Sequence, residues 1–515
     1  MIFIDIFTIS YSLKKPENSC KIMLNMIKNI LNVMLSNIGD KMKNTLILPN
    51  LKDLIIFLIP VIIFSYYLHV FDPGILTYDS FNQLHQISSG QFSNWHPFFH
   101  TFIELLCIKI YSSPISIAVL QIITFSLMWM IICKYNRLND ETAIDKEFIL
   151  QIIFTSVIAL IPLNALYSIT LWKDILFSYF LMFLCFLIKV LIDKENDVGP
   201  GFIILISLTM AIVYHLRTNG VIVILLFLVI FAVYLFRKNK TKKLFIYIPV
   251  LTVIFILLIS SLNVVYDVDD TQRDSFYAKL THVLADYDLN LELDESDRNK
   301  IHELISEKDI KEHYDPTISN DIYIYSSMHR DIYNNDKSAY IWIAVKYSLS
   351  NPLHFIKYLF ESSPMVWDVT RDDDWGGTLY TTQNIEISRD NFYRDENSTP
   401  LSRYDNVTSK NFGSHAYGLL TSFAELIKDN AILNAIFNSP ATCMYLSFLI
   451  MGLIHVITKS RSIYLVYLPN LMNIITIFLS SSTQDNRFLY ANFLVFYLLV
   501  VIFIRTVLIR EKSQD

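Results

Sequence analysis

The chain is divided into apolar blocks of about 18 to 22 residues with hardly a charge, the length a helix needs to cross a bilayer. Composition agrees: 53% of the 515 residues are hydrophobic, 17% are charged and mean hydropathy is +0.40. A soluble chain of this size would carry closer to about a quarter charged residues. With only 11 glycines and 15 prolines, a long low-complexity chain is excluded as well. The sequence predicts an all-α polytopic membrane protein.

Ten spans are predicted, near 52–70, 113–133, 147–163, 172–192, 200–215, 219–236, 244–265, 440–457, 462–480 and 487–507. The segment 97–112 is laid along the outer surface, because counting it as a span would put Arg237, Lys238, Lys240, Lys242 and Lys243 outside. With ten spans these residues fall inside. So do Lys14, Lys15, Lys21, Lys28, Lys41, Lys43, Lys459, Arg461, Arg505, Arg510 and Lys512. This assigns a cytoplasmic N-terminal tail (1–51), a membrane core (52–265) with a first outer loop (71–112), an extracytoplasmic segment (266–437) and C-terminal spans with a short tail (438–515). Both termini are expected in the cytoplasm of a multi-pass cell-membrane protein, with no cleaved signal peptide.

The net charge of −6 is unevenly distributed. Segment 266–437 holds 30 Asp and Glu against 16 Lys and Arg, a net −14 that leaves +8 on the rest. Helical periodicity near 296–308 and 338–361 makes that segment mostly helical. No basic patch interleaved with aromatics is present, so no nucleic-acid partner is expected. The five cysteines are scattered, with no CxxC, and indicate neither a disulfide framework nor a zinc site. The first outer loop reads as two short helices, one from about Asp79 to Ser89 stopping at Gly90, the other starting at Pro97.

Polar residues gather at the outer ends of the spans. The clusters are Tyr78-Asp79-Ser80 with Gln83; Asn94-Trp95-His96-Pro97 with His100; Leu171-Trp172-Lys173-Asp174; His215 to Gly220; and Gln484-Asp485-Asn486-Arg487. A converging set at one level suits a lipid head group. Asp79 is the candidate general base, taking the proton of an attacking hydroxyl, or else a helix N-cap. Asp72 lies in a turn signature. Arg217, Lys173 and Arg487 are the cations suited to a departing phosphate, the alternative being snorkelling at helix ends. Asn219-Gly220 suggests a tight turn that directs Arg217. Asp174 and Asp485 can serve simply as ion-pair partners of basic neighbours, and Trp95 and Trp172 as interface anchors.

His96, His100 and Glu104 are spaced for one helix face, open to a divalent cation or to a polar stripe binding lipid or substrate. No cofactor is firmly indicated. Asp372-Asp373-Asp374 is read as a solvated acidic face. No Gly-rich phosphate loop, HExxH or serine-hydrolase signature occurs.

Tyr78-Asp79-Ser80 with Gln83 and Gly90, Trp95-His96-Pro97, Leu171-Trp172-Lys173-Asp174, Arg217-Thr218-Asn219-Gly220 and Asp485-Asn486-Arg487-Phe488 together resemble a family of bacterial polytopic proteins. The resemblance spans most of 52–507 in short islands. That family in turn resembles the GT-C superfamily of membrane glycosyltransferases. The resemblance implies a GT-C-like core, two surface helices in the first loop, a catalytic Asp after the first span and a polyprenyl-phosphate sugar donor. Asp79 would be that carboxylate, although the Asp-Glu or Asp-Asp pair of better-known members is missing here, which leaves Asp72 in contention.

The function expected is transfer of a sugar from a polyprenyl-phosphate-linked donor to a cell-envelope glycan or lipid acceptor. The residues expected at the substrate are Asp79 as base, with Gln83, Trp95, His96, His100, Lys173, Asp174, Arg217, Asn219, Asp485 and Arg487 around it. The competing class is a transporter or flippase of lipid-linked glycans, which calls for ionisable groups near mid-membrane and broken helices in paired repeats. A surface-display protein anchored by its spans is the third class.

Overall fold

The computed structural model describes residues 50–138, 146–194, 198–237, 242–269, 275–326, 329–370, 390, 407–481 and 483–512. The N-terminal lysines, Lys238, Lys240 and the acidic triple 372–374 lie outside the described residues. Almost everything described is helical, with isolated β-bridges and no strand.

Among the described residues, ten helices precede the acidic segment: α1 Leu51–Val70, α2 Tyr78–Ser89, α3 Phe98–Ile110, α4 Ile115–Asn136, α5 Lys146–Leu160, α6 Pro162–Ile169, α7 Lys173–Asp193, α8 Pro200–Leu216, α9 Thr218–Arg237 and α10 Lys242–Val265. The acidic segment holds α11 Ser275–Asn290, α12 Glu295–Leu304, α13 Glu307–His313, α14 Ser319–Tyr325, α15 Arg330–Asn335, α16 Lys337–Ser350, α17 Pro352–Glu361, α18 Pro364–Trp367, α19 His415–Asp429 and α20 Ala431–Phe437. The last three are α21 Pro440–Thr458, α22 Ser462–Ser480 and α23 Tyr490–Lys512, the last entered through a 3-10 turn at Asn486–Leu489.

Among the described residues, eight helices are long and apolar enough to cross a membrane: α1, α4, α7, α9, α10, α21, α22 and α23. The chain is a multi-pass membrane protein. The predicted span 147–163 is instead a bent pair, with α5 and α6 meeting at 66° where Pro162 takes the first helical position. The predicted span 200–215 is α8, apolar but only 17 residues long.

Helix α7 is the hub. Its apolar window is 83% buried, against 11% for α10 at the periphery, and it packs on α4, α8, α22 and α23. Interior-facing helices read as apolar all round for that reason.

Two polar ends bracket the bundle. At one, Asp53 at the start of α1 accepts from Arg137 and pairs with Lys134 at the far end of α4, each at 3.0 Å. Gln151 of α5 joins Arg137, and Asp193 ending α7 meets Tyr135 and Arg505. At the other end, Ile75 after α1 bridges Thr170 before α7. The helices therefore alternate in direction, with α8 and α10 running parallel through Ser207–Ile248 and His215–Ile256 bonds. Asn50 and the end of α23 share the first end.

In the acidic segment the two predicted helical stretches are each broken once, at Ile305–Ser306 and at Asn351 before Pro352, whose ring starts α17. A separate core forms there around Tyr277, Leu284, Tyr287, Ile301 and Tyr340. The segment is fastened to the bundle by Gln484, which donates to Thr317 and Ser362 carbonyls and accepts from the Met365 amide.

Lys279 is buried beside that fastening, donating to Ser362 and lying over the Tyr358 ring. Burial pushes its ammonium down to about 7, with Asp286 pulling the other way. Between that value and the unfolded value of about 10.4 the unfolded chain binds the extra proton, so stability rises with pH across the window. Lys279→Met is expected to raise the unfolding temperature at pH 7, with the gain shrinking toward pH 10. Thermal unfolding at the two pH values checks this, and an equal gain at both would show that protonation of Lys279 carries no penalty.

Candidate functional site

The site is assembled at the second end of the bundle from four distant pieces of chain. Its floor is set by α2. Thr77 caps that helix in a capping box with Ser80, and Ser80 Oγ donates to the Leu171 carbonyl, which ties the first loop to the start of α7. Asp79 is therefore not the N-cap. It sits in the first turn, where the helix dipole favours a carboxylate. Gly90 closes α2 in the left-handed conformation, as its position predicts.

Asp79 Oδ2 accepts from Arg487 Nη1 at 2.9 Å and lies 3.7 Å from Lys173 Nζ. His96 Nε2 is 4.0 Å from Oδ1. Burial works to raise the Asp79 pKa, but the Arg487 and Lys173 cations outweigh it and hold the carboxyl well below the usual range. His96 Nδ1 lies 3.1 Å from Lys173 Nζ, and burial followed by that ammonium pushes His96 down to about 3. An imidazole facing an ammonium through Nδ1 carries its proton on Nε2, the nitrogen turned toward Asp79.

The cations are themselves held. Arg487 lies 4.5 Å over the Trp172 ring and pairs with Asp485 at 2.9 Å, while Asp485 also accepts from the Arg487 amide. Trp172 is buried and donates to Thr77, so it supports the arginine rather than anchoring at a lipid interface. Lys173 bonds inward to His96 instead of snorkelling. Asp174, wholly buried, pairs with Arg217 at 3.0 Å and not with its neighbour Lys173. Arg217 also donates to the Phe488 carbonyl, so it braces the turn carrying Arg487.

Gly220 is needed for a close approach, not for a turn. A Cβ there would sit 2.2 Å from the Val213 carbonyl oxygen, so α8 and α9 can meet at this angle only with glycine. Asn219 beside it reaches Asn473 and Thr476 on α22. It is a packing link and stands outside the contacts around Asp79.

A second polar layer runs along α3. Its N-cap is Pro97, one residue later than predicted, which leaves His96 outside the helix. His100 and Glu104 are wholly buried, with His100 Nδ1 at 3.6 Å from Glu104 and 2.9 Å from Gln83, which also bonds Thr101. Burial pushes His100 down to about 3 and Glu104 well up, so both are neutral. Among the described residues, only Asp309, Glu312 and His313 bring three ligand atoms within 4.8 Å of one another, far in sequence from His96, His100 and Glu104. Trp95 is 41% exposed beside His96.

Asp72 is drawn elsewhere, with Lys410 on its carboxylate at 3.2 Å. The four described cysteines are buried and unpaired, as their scatter predicts. The sequence names Ser80 and Phe488 only as members of their motifs, without a role of their own, and does not single out Thr77. A Thr three residues ahead of Ser at a helix start resembles a capping box and signals Thr77 and Ser80. Nothing local signals Phe488.

Compared with protein-family models, curated proteins and solved structures, the chain matches none.

Proposed function

We propose that the protein is a GT-C-type glycosyltransferase that moves a sugar from a polyprenyl-phosphate-linked donor to a cell-envelope glycan or lipid acceptor. The observation that carries this is the meeting of one carboxylate, Asp79, with two cations, Lys173 and Arg487, at the membrane-end rim of an apolar bundle. With α5–α6 and α8 counted as spans, ten crossings are consistent with Asn50 and the end of α23 on one side, taken as the cytoplasmic side, and with the site on the outer face. The basic residues near the first end favour this orientation.

The chemistry is a single displacement. The acceptor oxygen bonds to the anomeric carbon and passes its proton to Asp79, while the carbon–oxygen bond to phosphate breaks and its electron pair leaves with the phosphate. Arg487 and Lys173 meet the charge that develops there. Arg217 acts through the Phe488 turn as a positioning residue. The polyprenyl tail lies along the apolar helices, supplying binding energy away from the reacting centre. Charged groups collected at both ends of the bundle, rather than along it, favour this reading over transport.

The test is the cell-surface glycan composition of a deletion strain, with and without the wild-type gene restored. One glycan component is expected to disappear and to return on complementation, and the missing sugar names the donor. An unchanged glycan profile would move the protein to the transport class.

A further inference from the structure

The resting charge balance of the site carries a consequence for how the base is controlled. Three carboxylates, Asp79, Asp174 and Asp485, face three cations, Lys173, Arg217 and Arg487, and burial keeps His96 neutral. A lipid phosphate entering this set adds negative charge to a balanced cluster. It binds well only if one carboxylate gives up its partners. Asp174 is 0% exposed and Asp485 6%, each locked in its own pair, while the Asp79 side chain is 21% exposed.

We infer that Asp79 is an internal stand-in for the donor phosphate, and that the arriving phosphate takes Arg487 and Lys173 from it and so frees the carboxylate to act as base. This rests on the glycosyltransferase reading and adds its regulation: the base is masked until the donor is seated. The cations keep their places during the exchange. Arg487 remains over Trp172 and against Asp485, and Lys173 remains on His96. A carboxylate relieved of two cations is also the stronger proton acceptor.

A masked base behaves in reverse of an ordinary one. Removing the charge of Asp79 should strengthen phosphate binding, because the ligand no longer competes for its two cations. The measurement uses purified full-length protein in nanodiscs, with farnesyl phosphate as the probe and farnesol as its uncharged counterpart. Asp79→Asn and Asp79→Ala are expected to bind farnesyl phosphate about tenfold or more tightly than wild type, as close charge pairs are strongly coupled, with farnesol binding unchanged. Arg487→Gln is expected to remove the preference for farnesyl phosphate over farnesol in either background.

If Arg487→Gln abolishes that preference but both Asp79 variants bind no tighter than wild type, the stand-in idea is overturned and the phosphate site survives. If wild type prefers neither ligand and Arg487→Gln changes nothing, the glycosyltransferase reading falls and takes this inference with it. Gel filtration and thermal unfolding of each variant identify any that has lost its fold. Tighter binding cannot come from an unfolded chain, so either Asp79 variant that folds suffices for the decision.

Discussion

Asp79→Asn is expected to lower the rate of sugar transfer by roughly 10²–10⁴-fold, the range lost when a positioned general base is removed. The amide keeps the size of the carboxylate and its place in the first turn of α2, so the loss is chemical and not structural. It cannot take the acceptor's proton. The same variant is expected to hold the phosphate ligand more tightly, so kcat falls while KM does not rise, a split that loss of fold does not produce. In cells, the variant should reach the membrane in normal amount and fail to restore the missing glycan. Asp72→Asn is the matched control, because Asp72 is paired with Lys410 away from Arg487 and Lys173. Restoration by Asp79→Asn together with failure of Asp72→Asn would transfer the role of base to Asp72.

The second large effect concerns stability. Asp174 is wholly buried against Arg217, whose guanidinium also lies over the Phe177 and Phe488 rings at 5.4 and 5.0 Å. Removing one partner of a buried pair strands the other charge, at about 3–5 kcal/mol. Asp174→Asn is therefore expected to lower the unfolding temperature sharply. Arg217→Gln added to it should recover part of the loss, since two neutral polar groups replace one stranded cation. The two rings are further favourable contacts for Arg217 and the nearby charge of Asp485 also favours the cation, which pulls the single-variant loss toward the lower end of that range. Thermal unfolding of the two single variants and the double variant closes the cycle. Additive losses would mean that the two side chains do not support each other, and the bracing of the Phe488 turn would have to come from elsewhere.

These effects meet at one structural element. Arg217 bonds the Phe488 carbonyl, Arg487 lies beside Phe488 in the 3-10 turn, and Gln484 ties the residues just before that turn to the acidic segment. Arg487, which faces Asp79, is thus fixed by the bundle on one side and by the acidic segment on the other. This gives the acidic segment a part in holding the site that display on an anchor would not require.

Much of this was open to reading in one dimension. Length and apolarity place eight of the ten predicted spans, because a helix in lipid satisfies its own backbone and needs little from its neighbours. The α2 stop at Gly90 and the starts of α6 and α17 follow from glycine and proline, whose effects are local. The two predicted spans that differ do so at proline and at length: Pro162 turns a span into a bent pair, and α8 is one turn shorter than its neighbours.

The partnerships were decided only in three dimensions. Asp79 and Arg487 are 408 residues apart, and no periodicity links them. The sequence offered Lys173 as the neighbour of Asp174, yet packing gave Asp174 to Arg217 and turned Lys173 toward His96. Trp172 carried the signature of an interface anchor and became the platform under Arg487. Gly220 looked like a turn residue and is a point of close approach. Hydropathy and capping act over a few residues and are written locally, so the sequence determined the class, the spans and the level at which polar groups collect. Ion pairs and stacking depend on which helix ends are packed side by side, so only the tertiary structure determined which carboxylate faces which cation.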